Sequence, residues 1–87
     1  MTTTNIDVSA TVRRVLEQHG RLHVDANALQ ENEDLYNAGM NSHASVNVMV
    51  ALENEFEVEF PGQMLNHGTF NSVASICAAI ESLLAAT

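Results

Sequence analysis

"NAGMNSHASVNVMVALENEF", residues 37–56, decides how the rest of the chain is read. From Ser42 onward the apolar residues recur at helical spacing. At about 100° per residue, Val48, Met49, Leu52 and Phe56 fall on one stripe. Asn41 or Ser42 can cap this helix, because each carries a short side-chain oxygen that accepts from an orphan backbone N–H. Val46 and Val50 lie outside the stripe, beside His43, Asn47 and Asn54. The helix therefore has two apolar surfaces. One faces a core; the other faces a partner or widens the buried arc. Gly39, just ahead of the serine, is expected to need a special backbone angle.

The flanking sequence supplies packing partners for that helix. Val8, Val12, Val15, Leu16 and His19 follow the same period, so a helix is predicted from about Asn5 to His19 and ended by Gly20. Residues 20–41 keep no period and carry scattered anchors: Leu22, Val24, Leu29, Leu35 and Met40. A connection this long is expected to be functional or poorly ordered. "ENEFEVEF" (53–60) alternates like a strand, yet nothing in the chain could pair with it. It is read as helix to Phe56, then an extended exit into Pro61-Gly62. Pro61 to Asn66 predicts a short helix with Met64 and Leu65 turned inward. A last helix is predicted from about Thr69 to Leu84, capped by Thr69 or Asn71. Its buried face carries Val73, Ile76, Cys77, Ile80, Leu83 and Leu84. The fold class expected is all-α: a bundle of three long helices and one short one, with a long first loop.

Composition narrows the function. Eighty-seven residues allow one domain, 1–87, expected to be ordered over about 6–84. A core of this size is small, and a spacious enzyme cleft is hard to build from it. Eleven acids against three Arg give a net charge of −8. Phosphate contacts need clustered cations, so nucleic acid and anionic membrane are not expected as partners. The field suits basic protein surfaces, although solubility alone would also explain it. The single Cys77 forms no internal disulfide, and no metal-binding pattern exists: Gly20 breaks the helix between His19 and His23. "MTTTNIDVSA" has neither the basic start nor the apolar run of a signal peptide. A cytoplasmic monomer is expected.

Ser42 carries three possible readings. A hydrolase serine needs a general base within reach and an oxyanion site. His43 is its neighbour in sequence, but adjacent helical positions do not face each other. No G-x-S-x-G turn surrounds it. No catalytic residue is therefore assigned. A plain helix cap is the second reading. The third is an attachment point: a helix N-terminus favours phosphate, and an exposed hydroxyl there needs no activation by its own chain.

A resemblance bears on the choice. "DLYNAGMNSHASVNVMVALENEFEVEFP" (34–61) resembles the acyl carrier protein family, whose pattern reads D-L-x-x-x-G-[LM]-[DN]-S-L-x-x-V, then a helix ending L-E-x-x-F and a Pro. Asp34, Leu35, Gly39, Met40, Ser42, Val46, Leu52, Glu53, Phe56 and Pro61 match. Met64, Leu65 and "TFNSVASI" (69–76) also look like the family, so the resemblance covers about residues 6–84.

The resemblance implies that Ser42 carries a 4′-phosphopantetheine arm, covalently attached and derived from coenzyme A. The arm's thiol would hold a cargo as a thioester. A tether of this kind raises the effective concentration of cargo at each partner's site. The implied partners are a phosphopantetheinyl transferase, an amino acid or acyl ligase that charges the arm, and a downstream transferase or synthase. The docking surface expected around the serine is Met40, Asn41, His43, Val46, Asn47 and Val50. Asn41 stands where the family has Asp, and His43 where it has Leu, which points to a dedicated partner. The segment from Glu59 to Phe70 looks similar to stand-alone carriers charged by discrete amino acid:[carrier protein] ligases. An aminoacyl cargo is therefore the leading expectation. A fatty or polyketide-type acyl group is the alternative, and an unmodified acidic interaction module is the rival class.

Overall fold

The computed structural model describes the backbone of residues 4–86 and the side chains of residues 8–85. Four α-helices form it: α1 (Thr4–His19), α2 (Ser42–Phe56), α3 (His67–Phe70) and α4 (Val73–Ala86). Single 3-10 turns occur at Ala26–Ala28 and Gly62–Met64. No strand occurs among the described residues, and α2 ends at Phe56, with residues 57–60 leaving it outside any helix, the exit that was expected. The expectation that the chain's first residues are unordered falls on residues 1–3, outside those described, except that Thr4 is helical.

The core is a column of aliphatic side chains from every long element. Val8, Val12, Val15 and Leu16 of α1 meet Val48 and Leu52 of α2 and Val73, Ile76 and Ile80 of α4. Each of these is almost fully excluded from water. At about 25 cal/mol per Å² of apolar surface removed from water, this burial is the main force assembling the bundle. α1 lies against both α2 and α4. His19, predicted on the buried stripe of α1, is exposed, because the helix ends there and the chain turns away.

Two glycines are needed for different reasons. A Cβ on Gly20 would lie 2.7 Å from Leu16 O, the carbonyl its own N–H reaches at 2.8 Å. Arg21, not Gly20, takes the left-handed turn that reverses the chain (φ 56°). Gly39 has φ 122°, which a side chain rarely tolerates, and its bare face lies against the His23 ring.

The first loop is tied down at several points rather than poorly ordered. Arg13 donates from Nη1 to Ala26 O and Leu29 O, both at 2.8 Å. Glu17 Oε1 accepts from Ala26 N at 2.9 Å. Further on, Leu35 N–H donates to Asn71 O (2.7 Å), and Ala74 N–H of α4 donates to Glu31 O (2.8 Å). The loop thus satisfies orphan groups at the start of α4. Leu35 and Met40 are its buried anchors, and Leu29 is a third. Val24, expected as another, is 46% exposed, since it sits on the outward bend before the 3-10 turn.

The C-terminal third corrects the single last helix. It is broken into α3 and α4 at Asn71 and Ser72. Asn66 caps α3 by accepting from Thr69 N at 3.0 Å. Ser72 caps α4 by accepting from Ser75 N at 3.1 Å. Thr69 and Asn71, the caps expected from sequence, lie inside and just after α3 instead. Met64 packs partly into the core as expected, but Leu65 is 48% exposed. The Gly62–Met64 turn is too short to carry both residues inward.

Candidate functional site

Ser42 is the first residue of α2, and it is exposed. Its position follows from the loop before it. Asp34 Oδ1 accepts from Tyr36 N (2.9 Å), and Met40 N–H returns to Leu35 O (3.0 Å). With Leu35 and Met40 buried, the loop is held at both ends and delivers Asn41 and Ser42 to the surface.

The cap is Asn41. Its Oδ1 accepts from Ala44 N at 2.8 Å, and its backbone is extended. Ser42 is released from that duty, and its hydroxyl bonds to none of the described residues. Its own carbonyl accepts from Ser45 Oγ at 2.8 Å. Among the described residues the amides of Ser42 and His43 have no partner, as expected for the first positions of a helix. The junction is therefore a free hydroxyl beside two free N–H groups at the positive end of a 15-residue helix. A phosphodiester fits this place, because it brings acceptor oxygens and negative charge where donors and a positive dipole are unmet. His43 is exposed and adjacent, and it makes no bond to Ser42 Oγ.

The other expected docking residues divide. His43 and Asn47 are exposed on α2, and Val46 and Val50 are 54% and 45% exposed. Met40 is a correction. It is 2% exposed, because its side chain closes the core beneath the loop, so it cannot contribute a side chain to a docking surface.

Sequence reasoning missed a groove of about 320 Å³ beside Ser42. Val46 and Met49 of α2, Leu65 and Phe70 supply its apolar wall. Tyr36, Ser45, Asn66 and His67 supply polar groups. Tyr36 and His67 stack, with centroids 3.9 Å apart and planes 20° from parallel. Phe70 is held from below by Phe60, at 5.3 Å. Nothing local in the sequence pairs residue 36 with residue 67, since only the folded chain brings the loop against α3.

Cys77 lies half-buried on α4. Burial, with Glu81 and Glu31 nearby, pushes its thiol above the usual range. The fold thus favours the neutral thiol, which serves as packing material. Among the described residues no group of three His, Cys, Asp or Glu could hold a metal. None of their helices is long and apolar enough to cross a membrane.

Comparison with known proteins places this geometry. Residues 7–80 match the family model described as "Phosphopantetheine attachment site". The chain is 35% identical over 77 residues to the aminoacyl carrier protein of Agrobacterium fabrum, covering 88% of this chain and 93% of that one. It superposes with a TM-score of 0.83 and 35% identity on a chain from a crystal structure of an engineered Bradyrhizobium japonicum glycine:[carrier protein] ligase complexed with a carrier protein from Agrobacterium tumefaciens and ATP. That match covers 86% of this chain and 97% of the other. A second structure of such a complex, with AMP, gives a TM-score of 0.76 at 36% identity, covering 88% and 97%.

Proposed function

This chain belongs to the phosphopantetheine-attachment family of carrier proteins, and on that premise we propose that Ser42 is its attachment residue and an aminoacyl group its cargo. One observation carries the choice of residue. Asn41 takes over the capping of α2, which leaves the exposed Ser42 hydroxyl without a structural task. The chain is a carrier and not an enzyme, so its residues expose, position and dock.

The 4′-phosphopantetheine group, when bound, supplies a terminal thiol that holds the cargo as a thioester. Loading joins Ser42 Oγ to the phosphorus of coenzyme A nearest the pantetheine, and the pyrophosphate bond breaks. Adenosine bisphosphate leaves, and the hydroxyl proton passes to a base of the transferase. Ser42 contributes an unencumbered oxygen. The free amides of Ser42 and His43 favour the negative phosphodiester that results.

The aminoacyl cargo is supported by kinship with the carrier of Agrobacterium fabrum and with carriers solved beside a glycine:[carrier protein] ligase. A discrete ligase of that type is the charging partner, and a transferase or synthase receives the cargo. His43, Val46, Asn47 and Val50 form the face that these partners meet. A coenzyme A-derived modification and a lone free cysteine imply the cytoplasm as the compartment.

Intact mass tests the attachment. Incubation with coenzyme A, Mg²⁺ and a broad-specificity phosphopantetheinyl transferase should add one phosphopantetheine, and Ser42→Ala should add none. The loaded carrier, given ATP and a glycine:[carrier protein] ligase, should then gain one aminoacyl mass that hydroxylamine removes. If several transferases leave the mass unchanged, the chain is a docking module.

A further inference from the structure

We propose that His23 is a positioning residue for loading: its ring clamps the glycine turn that delivers Ser42 to the surface. The inference rests on Ser42 as the attachment residue. It adds a side chain, remote in sequence, that sets how Ser42 is presented.

The turn before Ser42 is the soft point of an otherwise fastened segment. Leu35 N–H is tied to Asn71 O, and Tyr36 stacks on His67. Leu35, Ala38 and Met40 are buried and fix the inner side of the segment. Gly39 is its outer side, at φ 122°. Glycine enters both halves of the φ range readily, so this residue holds no conformation by itself. Its own N–H reaches Tyr36 O at 3.2 Å, the long end of the usual range. Only Met40 and Asn41 separate it from Ser42.

His23 supplies the restraint that glycine lacks. Its backbone N–H donates to Ala38 O at 2.7 Å, which holds the carbonyl entering Gly39. Its ring stands where a side chain on residue 39 would stand. A Cβ there would lie 2.7 Å from Cδ2, 3.0 Å from Nε2 and 3.1 Å from Cγ. Three ring atoms at such similar distances mean that a flank of the imidazole covers the glycine. The clamp joins the beginning of the first loop to its end. His23 is otherwise exposed, so it belongs to the surface and not to the core. Its loss should therefore affect the presentation of Ser42 more than the stability of the bundle.

Loading kinetics test this. A phosphopantetheinyl transferase and coenzyme A are supplied, the apo carrier is varied, and the mass increment is timed. If His23→Ala leaves the turn in its presenting conformation about a tenth of the time, KM for the carrier rises about tenfold and kcat holds. His23→Phe lays a flat ring over Gly39 again and should restore most of the lost KM. Gly39→Ala must push the ring aside, so adding His23→Ala to it should raise KM little further. With no transferase present, hydrogen exchange at Met40 N–H, which closes the turn onto Leu35 O, should quicken in His23→Ala and recover in His23→Phe. The urea midpoint should stay nearly constant across the His23 variants. An unchanged KM in His23→Ala, a His23→Phe variant as impaired as His23→Ala, or a loss confined to kcat overturns the inference. So does a KM rise with Met40 exchange unaltered, which would make His23 a direct contact of the transferase. Each of these leaves Ser42 in place. Failure of the unaltered protein to load removes the Ser42 reading and this inference together.

Discussion

Ser42 and Asn41 divide two tasks that the sequence could not separate, since both residue types cap helices well. The bond from Ala44 N to Asn41 Oδ1 assigns the cap, and two expectations follow. Asn41→Ala should cost about 1 kcal/mol, within the usual 0.5–2 for a lost cap, read as a shift of the urea midpoint. Ser42→Ala should leave that midpoint nearly unchanged while abolishing the phosphopantetheine mass increment. Cys77 is held above the ordinary thiol range by burial first and by Glu81 and Glu31 after it. Its neutral form is therefore favoured by the fold. The stability this contributes is fully present below the unfolded thiol pKa and is lost as pH rises through the folded one. Near pH 8, iodoacetamide should label the arm's thiol well before Cys77, as peptide mass mapping would show. Equal rates at the two thiols would contradict the burial of Cys77. The serine and its motif were legible in the sequence. The stacked partners Tyr36 and His67 were not, because 31 positions separate them and neither lies in a periodic segment.

Element boundaries were readable wherever local chemistry marks them. α2 runs from Ser42 to Phe56, as its period and cap residues predict. Its far end uses a device that the pattern hides. Glu57 is left-handed (φ 55°), and Val58 N–H closes back to Glu53 O at 3.2 Å, the six-residue closure of a Schellman end. Glu53 then accepts from Phe60 N at 2.9 Å through Oε2. The acid in the family-like L-E-x-x-F pattern thus serves as a fastener for the chain's exit. A left-handed turn costs a non-glycine residue about 1–2 kcal/mol, and glycine loses about 0.5–1 in chain entropy. Glu57→Gly should accordingly raise stability by about 0.5–1 kcal/mol, measured by chemical denaturation; a loss would mean that the Glu57 side chain has a bond of its own. The split between α3 and α4 escaped the periodic reading. The apolar spacing continues across Asn71 and Ser72, while their backbone groups are taken by the first loop and by Ser75.

The whole molecule shows how charge and contact are distributed. The chain carries −8, yet the exposed face of α2 after Ser42 presents His43, Val46, Asn47 and Val50, with no acid among them. Charge then acts at long range and apolar contact at short range. With a ligase that charges this carrier, rising salt should lower the association rate and leave the dissociation rate nearly constant, as stopped-flow measurements would show. A dissociation rate that climbs steeply with salt would instead place ion pairs in the contact. Arg14–Glu55, 2.9 Å apart on the surface, is a poor candidate for holding the bundle together. The hydrogen bond from Arg14, and then its charge, lower the Glu55 pKa. What this exposed pair adds is present above the unfolded carboxylate value and fades as pH falls through the folded one.

The sequence by itself determined the helical class, the limits of α2, the serine at its start and the family that serine belongs to. Each is written in local terms: a period of 3.6, a cap residue, a motif of fixed spacing. Only the tertiary structure decided the rest. It pinned the first loop through Arg13, Leu35 and Ala74, buried Met40, exposed Leu65 and opened a groove with its stacked ring pair beside Ser42. These depend on residues far apart in the chain competing for the same space and the same hydrogen-bond partners, and no local pattern records which of them wins.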